Sequence, residues 1–307
     1  MERQIDYAAD AGIAFWAFDW YWREQVSPDQ WYHTGPRPDD LFLNNGLKLY
    51  LQASNRQRME FCLLVANHKP FRVGPDDWED VIATWLPLLT HPQHLRIDGK
   101  PLLIIFSPPA MDERFGSDQA VAAAWERLQA AAREAGLPGV AIAGCEGGTL
   151  ADPNFASRLA RRRDQGYTHF TGYNYRPPGP AVYEEHSFTE IVDYSPKVWD
   201  AFAAVSPLPY LPCITIGWDP RPWQGPDGLG PDSHVCWHFT GRTPELVAKT
   251  VADAVAWMRQ HPDIVTSDEI AVMYAWDENG EGGYLMPTVG DGNAYLEALR
   301  PILTGQA

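Results

Sequence analysis

The sequence predicts an α/β fold, a (β/α)8 barrel of the TIM type whose first strand is missing from the chain. Three observations predict it. Strand-like apolar runs alternate with amphipathic helical patterns along all 307 residues, the pattern of a parallel sheet with right-handed crossovers. The runs are continuously apolar, as in Leu102-Leu103-Ile104-Ile105-Phe106, which suits strands buried on both faces. Polar and aromatic residues follow the runs at one topological height, as at a barrel mouth.

An amphipathic helix over 2–11 comes first. Strand-like runs follow at Ile13 to Trp20, Glu60 to Asn67, Pro101 to Ser107, Gly139 to Cys145, His169 to Tyr175, Leu211 to Trp218 and Glu269 to Trp276. Helical patterns separate most of them, at Gly46 to Gln57, Asp76 to Leu89, Ser117 to Ala135, Asn154 to Gln165 and Thr243 to Gln260. Thr243 can cap the last of these, Pro244 suits its first turn, and Glu245 meets the positive end of its dipole. Gly136 and Gly166 read as helix stops. A closed ring needs one strand more than these runs supply, so the expected structure has a gap or edge beside the run at Ile13. A doubly wound open sheet is the alternative, but no G-x-G-x-x-G opens a helix. No linker or composition shift divides the chain, so residues 1–307 read as one domain. The stretches Arg176 to Pro207 and Pro220 to Arg242 are rich in Pro and aromatics and read as long loops on the C-terminal face.

Charge and composition narrow the function. With 40 acidic and 24 basic residues the formal net charge is −16, which disfavours nucleic acid and anionic membrane surfaces. No apolar run reaches the ~18 residues that span a bilayer. The chain opens into its first helix without a secretory signal. As written it reads as cytoplasmic; a truncated N-terminus would allow a secreted or periplasmic protein. The cysteines Cys62, Cys145, Cys213 and Cys236 form no C-x-x-C and read as reduced thiols. Thirteen Trp favour carbohydrate, because indole rings stack on sugar faces, although Trp85, Trp125 and Trp257 sit inside helical patterns and read as core.

The strand ends carry the chemistry. They offer Asp19, Trp20 and Trp22; Asn67 and His68; Glu146; Tyr173 and Tyr175; Trp218, Asp219 and Trp223; and Trp276, Asp277, Glu278 and Glu281. Glu278 and Glu281 are three apart where an apolar run meets a Gly-rich loop, so both can converge on one bond. Glycoside cleavage needs such a pair. Glu146 is a third carboxylate that could bind a hydroxyl or cap its loop. Asp19 could orient substrate or hold the mouth together. Tyr173 and Tyr175 share a face if the strand is regular. Arg161-Arg162-Arg163 reads as a solvated helix face. His234 and His238 are four apart, but the Gly- and Pro-rich stretch before them argues against a helical zinc pair.

At this point the sequence resembles the glycoside hydrolase family 99 and WbsX-like group, whose closing motif reads roughly W-N-E-W-x-E-G. Trp276, Glu278, Glu281 and Gly282 match in register, with Asp277 in place of Asn and Asn279 in place of Trp. Gly12-Ile13-Ala14-Phe15-Trp16-Ala17-Phe18, Phe61 to Asn67, Ile97-Asp98-Gly99-Lys100-Pro101, Gly217-Trp218-Asp219 and Thr243-Pro244-Glu245 also match, in order. The resemblance implies a barrel with its site at the C-terminal mouth and retaining, endo-acting α-mannosidase chemistry without metal or cofactor. It implies that Glu278 deprotonates the sugar's 2-hydroxyl, the nucleophile, and that Glu281 is acid and then base. The implied partner is an oligosaccharide or polysaccharide; the oligomeric state is not legible. A WbsX-like protein of polysaccharide biosynthesis, or a catalytically inactive glycan-binding barrel, are the alternatives.

Overall fold

The computed structural model describes residues 1–24, 42–147, 150, 152–179, 184–224 and 237–306. Its frame is a series of parallel strands in sequence order: β1 (Phe15–Trp20), β2 (Glu60–Val65), β3 (Lys100–Ile105), β4 (Ala141–Cys145) and β5 (His169–Thr171) form one sheet. A parallel bridge, Phe170 to Tyr210, carries the array on to β6 (Cys213–Thr215), which pairs in parallel with β7 (Val272–Tyr274). The expected run of consecutive parallel neighbours is therefore present, with shorter strands than the apolar runs suggest.

Two apolar clusters show how the array curls. Leu64 of β2, Leu102 and Ile104 of β3, Ala141 and Ala143 of β4, and Val272 of β7 share one cluster, against which Phe15 and Ala17 of β1 pack. That is the concave interior. The alternate residues, such as Trp16, Phe61, Leu63, Leu103 and Ile142, share the other cluster with the helices. Alternation along each strand puts successive side chains on opposite faces, so both faces are apolar because both are covered. Trp85, Trp125 and Trp257 lie in the helix-facing layer, as expected. Full burial of side chains this large contributes roughly 2–3 kcal/mol each.

A closed ring is not formed among the described residues. β1 and β7 are the ends of their sheets, and both line one cavity of about 750 Å3 that also reaches Leu64, Ile214 and Leu303. Ala14 and Trp20 accept backbone hydrogen bonds from the β2 side. Because backbone direction alternates along a strand, the amides of Phe15, Ala17 and Asp19 point into the cavity. On the other bank, Val272 and Tyr274 bond towards β6, which turns Ala271 and Met273 to the cavity. The gap expected beside β1 is this slot.

The helices around the array start where their caps sit. Thr243 accepts from the Leu246 amide ahead of the helix Pro244–Gln260. Ser117 does the same for Ala120 ahead of Asp118–Glu134. Two helices correct the sequence reading. Ser107 caps a helix over Pro108–Phe115, and the stretch Arg176 to Pro207 contains an 18-residue helix, Phe188–Val205, opened by a capping box between Ser187 and Glu190. No helix among the described residues is long and apolar enough to cross a membrane. Cys62, Cys145 and Cys213 are buried free thiols; Cys236 and His234 lie outside the described residues, as does the side chain of Trp223.

Candidate active site

Glu278 and Glu281 stand on a tight hairpin beyond β7. Asp277–Glu278 pairs antiparallel with Gly283–Tyr284, and a single 3-10 turn, Asn279–Glu281, joins them. Gly282 closes the turn at φ +72°, and a Cβ there would stand 2.8 Å from that of Asp219. Glycine is required on both counts. The turn is tied to its neighbours by backbone and side chain. The Asp219 amide donates to the Glu281 carbonyl at 2.6 Å. Arg242 donates to the Gly282 and Tyr284 carbonyls at 2.9 and 3.0 Å, while its guanidinium lies over the rings of Tyr284 and Tyr295.

The two glutamates flank two neighbouring cavities. Glu278 lines the slot between β1 and β7, with Asp19, Asp277 and Trp276. Glu281 lines a second cavity of about 340 Å3, with Trp218, Arg176 and Phe106. Tyr173 lines both. A tyrosine–carboxylate pair stands at this boundary. The Tyr274 hydroxyl donates to the Glu281 carboxylate, beside the ring of Tyr173. The two rings pack edge to face with centroids 5.1 Å apart. Burial, reinforced by the surrounding carboxylates, pushes the ionisation of both phenols far up, so they remain donors.

Burial and mutual repulsion disfavour the ionised form of two of these carboxyls. Burial first, then the charges of Glu278, Asp277 and Glu281, push the Asp19 carboxyl up to about 7. Burial first, then Glu281 and Asp277, raises Glu278. Each follows from desolvation and like-charge repulsion.

Several expected site residues do other work. Trp20 is on the helix-facing side of β1, 2 % exposed, packed on Trp22 and Trp85. Trp22 is buried beside it; neither lines the mouth. Asn67 is fully buried, and its amide clamps the backbone of Ser107 with two bonds of 2.8 Å, fixing the end of β2 to the end of β3. Glu146 borders the second cavity, but its carboxylate is committed to Arg158 and Arg162, each at 2.8 Å. Arg162 is 1 % exposed and also pairs with Asp112 at 2.7 Å, so the arginine run is not wholly a solvated face. Tyr173 and Tyr175 part company because β5 ends at Thr171. Tyr173 joins the concave side; Tyr175 packs on the helix side with Phe202, its hydroxyl on the Glu146 carbonyl at 3.3 Å. Asp219 is paired with Arg221 at 2.6 Å and lines neither cavity. His68 is exposed at the rim, edge-on to Phe106.

Two others line the cavities. Trp218 lies in the second, under the Arg176 guanidinium, 3.8 Å from its ring centroid, and Trp276 lines the slot while packing on Trp16 of the helix-facing layer at 5.3 Å. Sequence reasoning passed over Tyr274, which reads as the last apolar residue of its run, and Arg242, which no local pattern marks.

With this parallel array and its paired carboxylates in view, the family match supports a carbohydrate-active protein. The chain belongs to the WbsX glycosyltransferase family: the family described as "Glycosyltransferase WbsX" matches residues 1–299. A solved structure described as "Glycoside hydrolase-like protein" has a similar fold, with a TM-score of 0.60 and 14% identity, covering 97% of this chain and 83% of that one. At that identity the likeness shows the fold alone. No curated protein matches the chain.

Proposed function

We propose that the protein is a retaining, endo-acting glycoside hydrolase, α-mannosidase-like, with Glu278 and Glu281 as its catalytic pair. The observation that carries this reading is the hairpin turn that holds both glutamates over two cavities sharing one tyrosine wall. In the proposed cycle Glu278 takes the proton of the sugar's 2-hydroxyl as that oxygen attacks the anomeric carbon. Glu281 gives its proton to the departing oxygen. Water then opens the resulting three-membered ring, losing a proton to Glu281 while the 2-oxygen regains one from Glu278. Two displacements give retention. The slot between β1 and β7 is the proposed place of an eighth strand that completes a (β/α)8 barrel.

Leaving-group dependence tests the pair. Glu281→Gln should slow glycosides with poor leaving groups by ~10²-fold or more and spare activated ones. Glu278→Gln should impair both, because the 2-hydroxyl must be helped whatever leaves. Wild-type cleavage of a 2-deoxy glycoside as fast as its parent would refute the neighbouring-group route. The family's printed name favours a second reading, a role in glycan assembly by sugar transfer.

A further inference from the structure

The glutamate pair divides the mouth into two sides. In the proposed cycle Glu278 works on the sugar whose 2-hydroxyl attacks, and Glu281 on the oxygen that departs. Glu281 lines the second cavity and Glu278 does not, so the departing sugar belongs in that cavity. At about 340 Å3 it lies at the small end of ligand pockets. Three segments build one wall of it. Beyond β5 the Tyr175 amide donates to the Thr215 hydroxyl at 2.6 Å, and the residues on either side of that anchor, Asn174 and Arg176, line the cavity. Beyond β6 the Trp218 carbonyl accepts from the Phe239 amide at 2.8 Å. Trp237 precedes the strand His238–Thr240, which pairs in parallel with Glu185–Ser187, and a Cβ on Gly179 would stand 3.1 Å from its ring. The Arg176 guanidinium lies over both indoles, 3.8 Å from the Trp218 centroid and 5.0 Å from that of Trp237. The Trp218 indole N–H is buried and donates to no acceptor among the described residues.

We propose that Arg176 is the specificity-determining residue for the departing sugar: its guanidinium donates hydrogen bonds to two neighbouring hydroxyl oxygens of a neutral sugar ring in the second cavity, with the Trp218 N–H as a further donor. The inference rests on the glycosidase reading for which sugar sits there, but not for the cavity's ability to hold one. Stacking on indoles fixes a guanidinium through its faces and leaves N–H donors at its edge, in a planar fork that meets two oxygens at once. Arg176 is the only cation among the described residues of this lining. The two carboxylates of the lining are engaged, Glu146 by Arg158 and Arg162 and Glu281 by Tyr274. Recognition of sugar oxygens as acceptors therefore falls to Arg176 and Trp218. The wall is assembled before the sugar arrives, so little ordering is left for binding to supply.

Two measurements on the full chain test it. The first needs no turnover. The methyl α-glycosides of mannose, glucose and galactose are titrated in turn into the protein while its indole 1H–15N resonances are recorded, with Trp218→Phe assigning the Trp218 signal. At least one sugar should shift that signal and leave the signal of Trp125, in the helix-facing layer, in place. Arg176→Ala should weaken this binding ~10- to 100-fold, the scale of hydrogen bonds to a charged group. A Trp218 signal moved by none of the three, or binding unchanged in Arg176→Ala, overturns the proposal. The second compares kcat/KM on a cleaved oligosaccharide and on the glycosyl fluoride of the same attacked sugar, from which fluoride departs and no sugar fills the second cavity. Arg176→Ala should lose ~10-fold more on the oligosaccharide than on the fluoride. Arg176→Lys keeps the charge without the fork; it should show the same bias, and it serves if the alanine variant fails to fold. Equal losses on the two substrates overturn the role in specificity. If no glycoside is cleaved, the proposed function fails while the titration still decides whether Arg176 holds a sugar.

Discussion

Tyr274 offers the Glu281 carboxylate a buried phenol that does not ionise near neutral pH. Hydrogen bonds to charged groups contribute about 1.5–3 kcal/mol. Tyr274→Phe should therefore lower the unfolding free energy by about that much, and should cut turnover ~10- to 100-fold if the bond orients Glu281 for the reaction, measured as kcat beside a melting curve. Arg162→Met should act on stability instead. It strips Glu146 and Asp112 of a buried partner, and breaking such pairs costs about 3–5 kcal/mol; denaturant unfolding reads it directly. Asp19 has a pH signature as well. Its folded-state acid is weaker than in the unfolded chain, so its contribution is full below about 4 and is lost as pH rises through about 7. Asp19→Asn should stabilise the protein more at pH 8 than at pH 5, by roughly 2–4 kcal/mol at most, measured by unfolding at both pH values. Glu278 and Glu281 were legible because they are close in sequence, on a turn marked by glycines. Asn67 and Glu146 misled because what occupies them is remote: Ser107 lies 40 residues from Asn67, and Arg162 lies 16 from Glu146.

The order of strands and most of the helices were legible from alternation and caps, since β2, β3 and β4 are apolar on both faces. The helix Phe188–Val205 was hidden by Pro196 in its middle, although Ser187 and Glu190 announced its start. The mouth tyrosines could not be sorted by period 2, because that period ends with β5 at Thr171. The unclosed slot has its own consequence. Hydrogen exchange by NMR should find the amides of Phe15, Ala17 and Met273 exchanging well ahead of those of Leu63 and Leu64, which lie between β1 and β3. Equal protection on both banks of the slot would mean that a strand already fills it.

For the molecule as a whole, an acidic surface and an aromatic mouth suit a glycan that is neutral where it meets the site. Family membership leaves hydrolysis and sugar transfer both open. The central claim is that water is the final acceptor and that the hairpin pair drives the reaction. The direct measurement is to incubate a panel of α- and β-linked oligosaccharides, α-mannosides included, with the protein in 18O-water and to weigh the products. Hydrolysis by this pair predicts shortened oligosaccharides carrying a single 18O at each new reducing end, from wild type and not from the Glu278→Gln, Glu281→Gln double variant. Elongated products without 18O, or the same cleavage by the double variant, would contradict it.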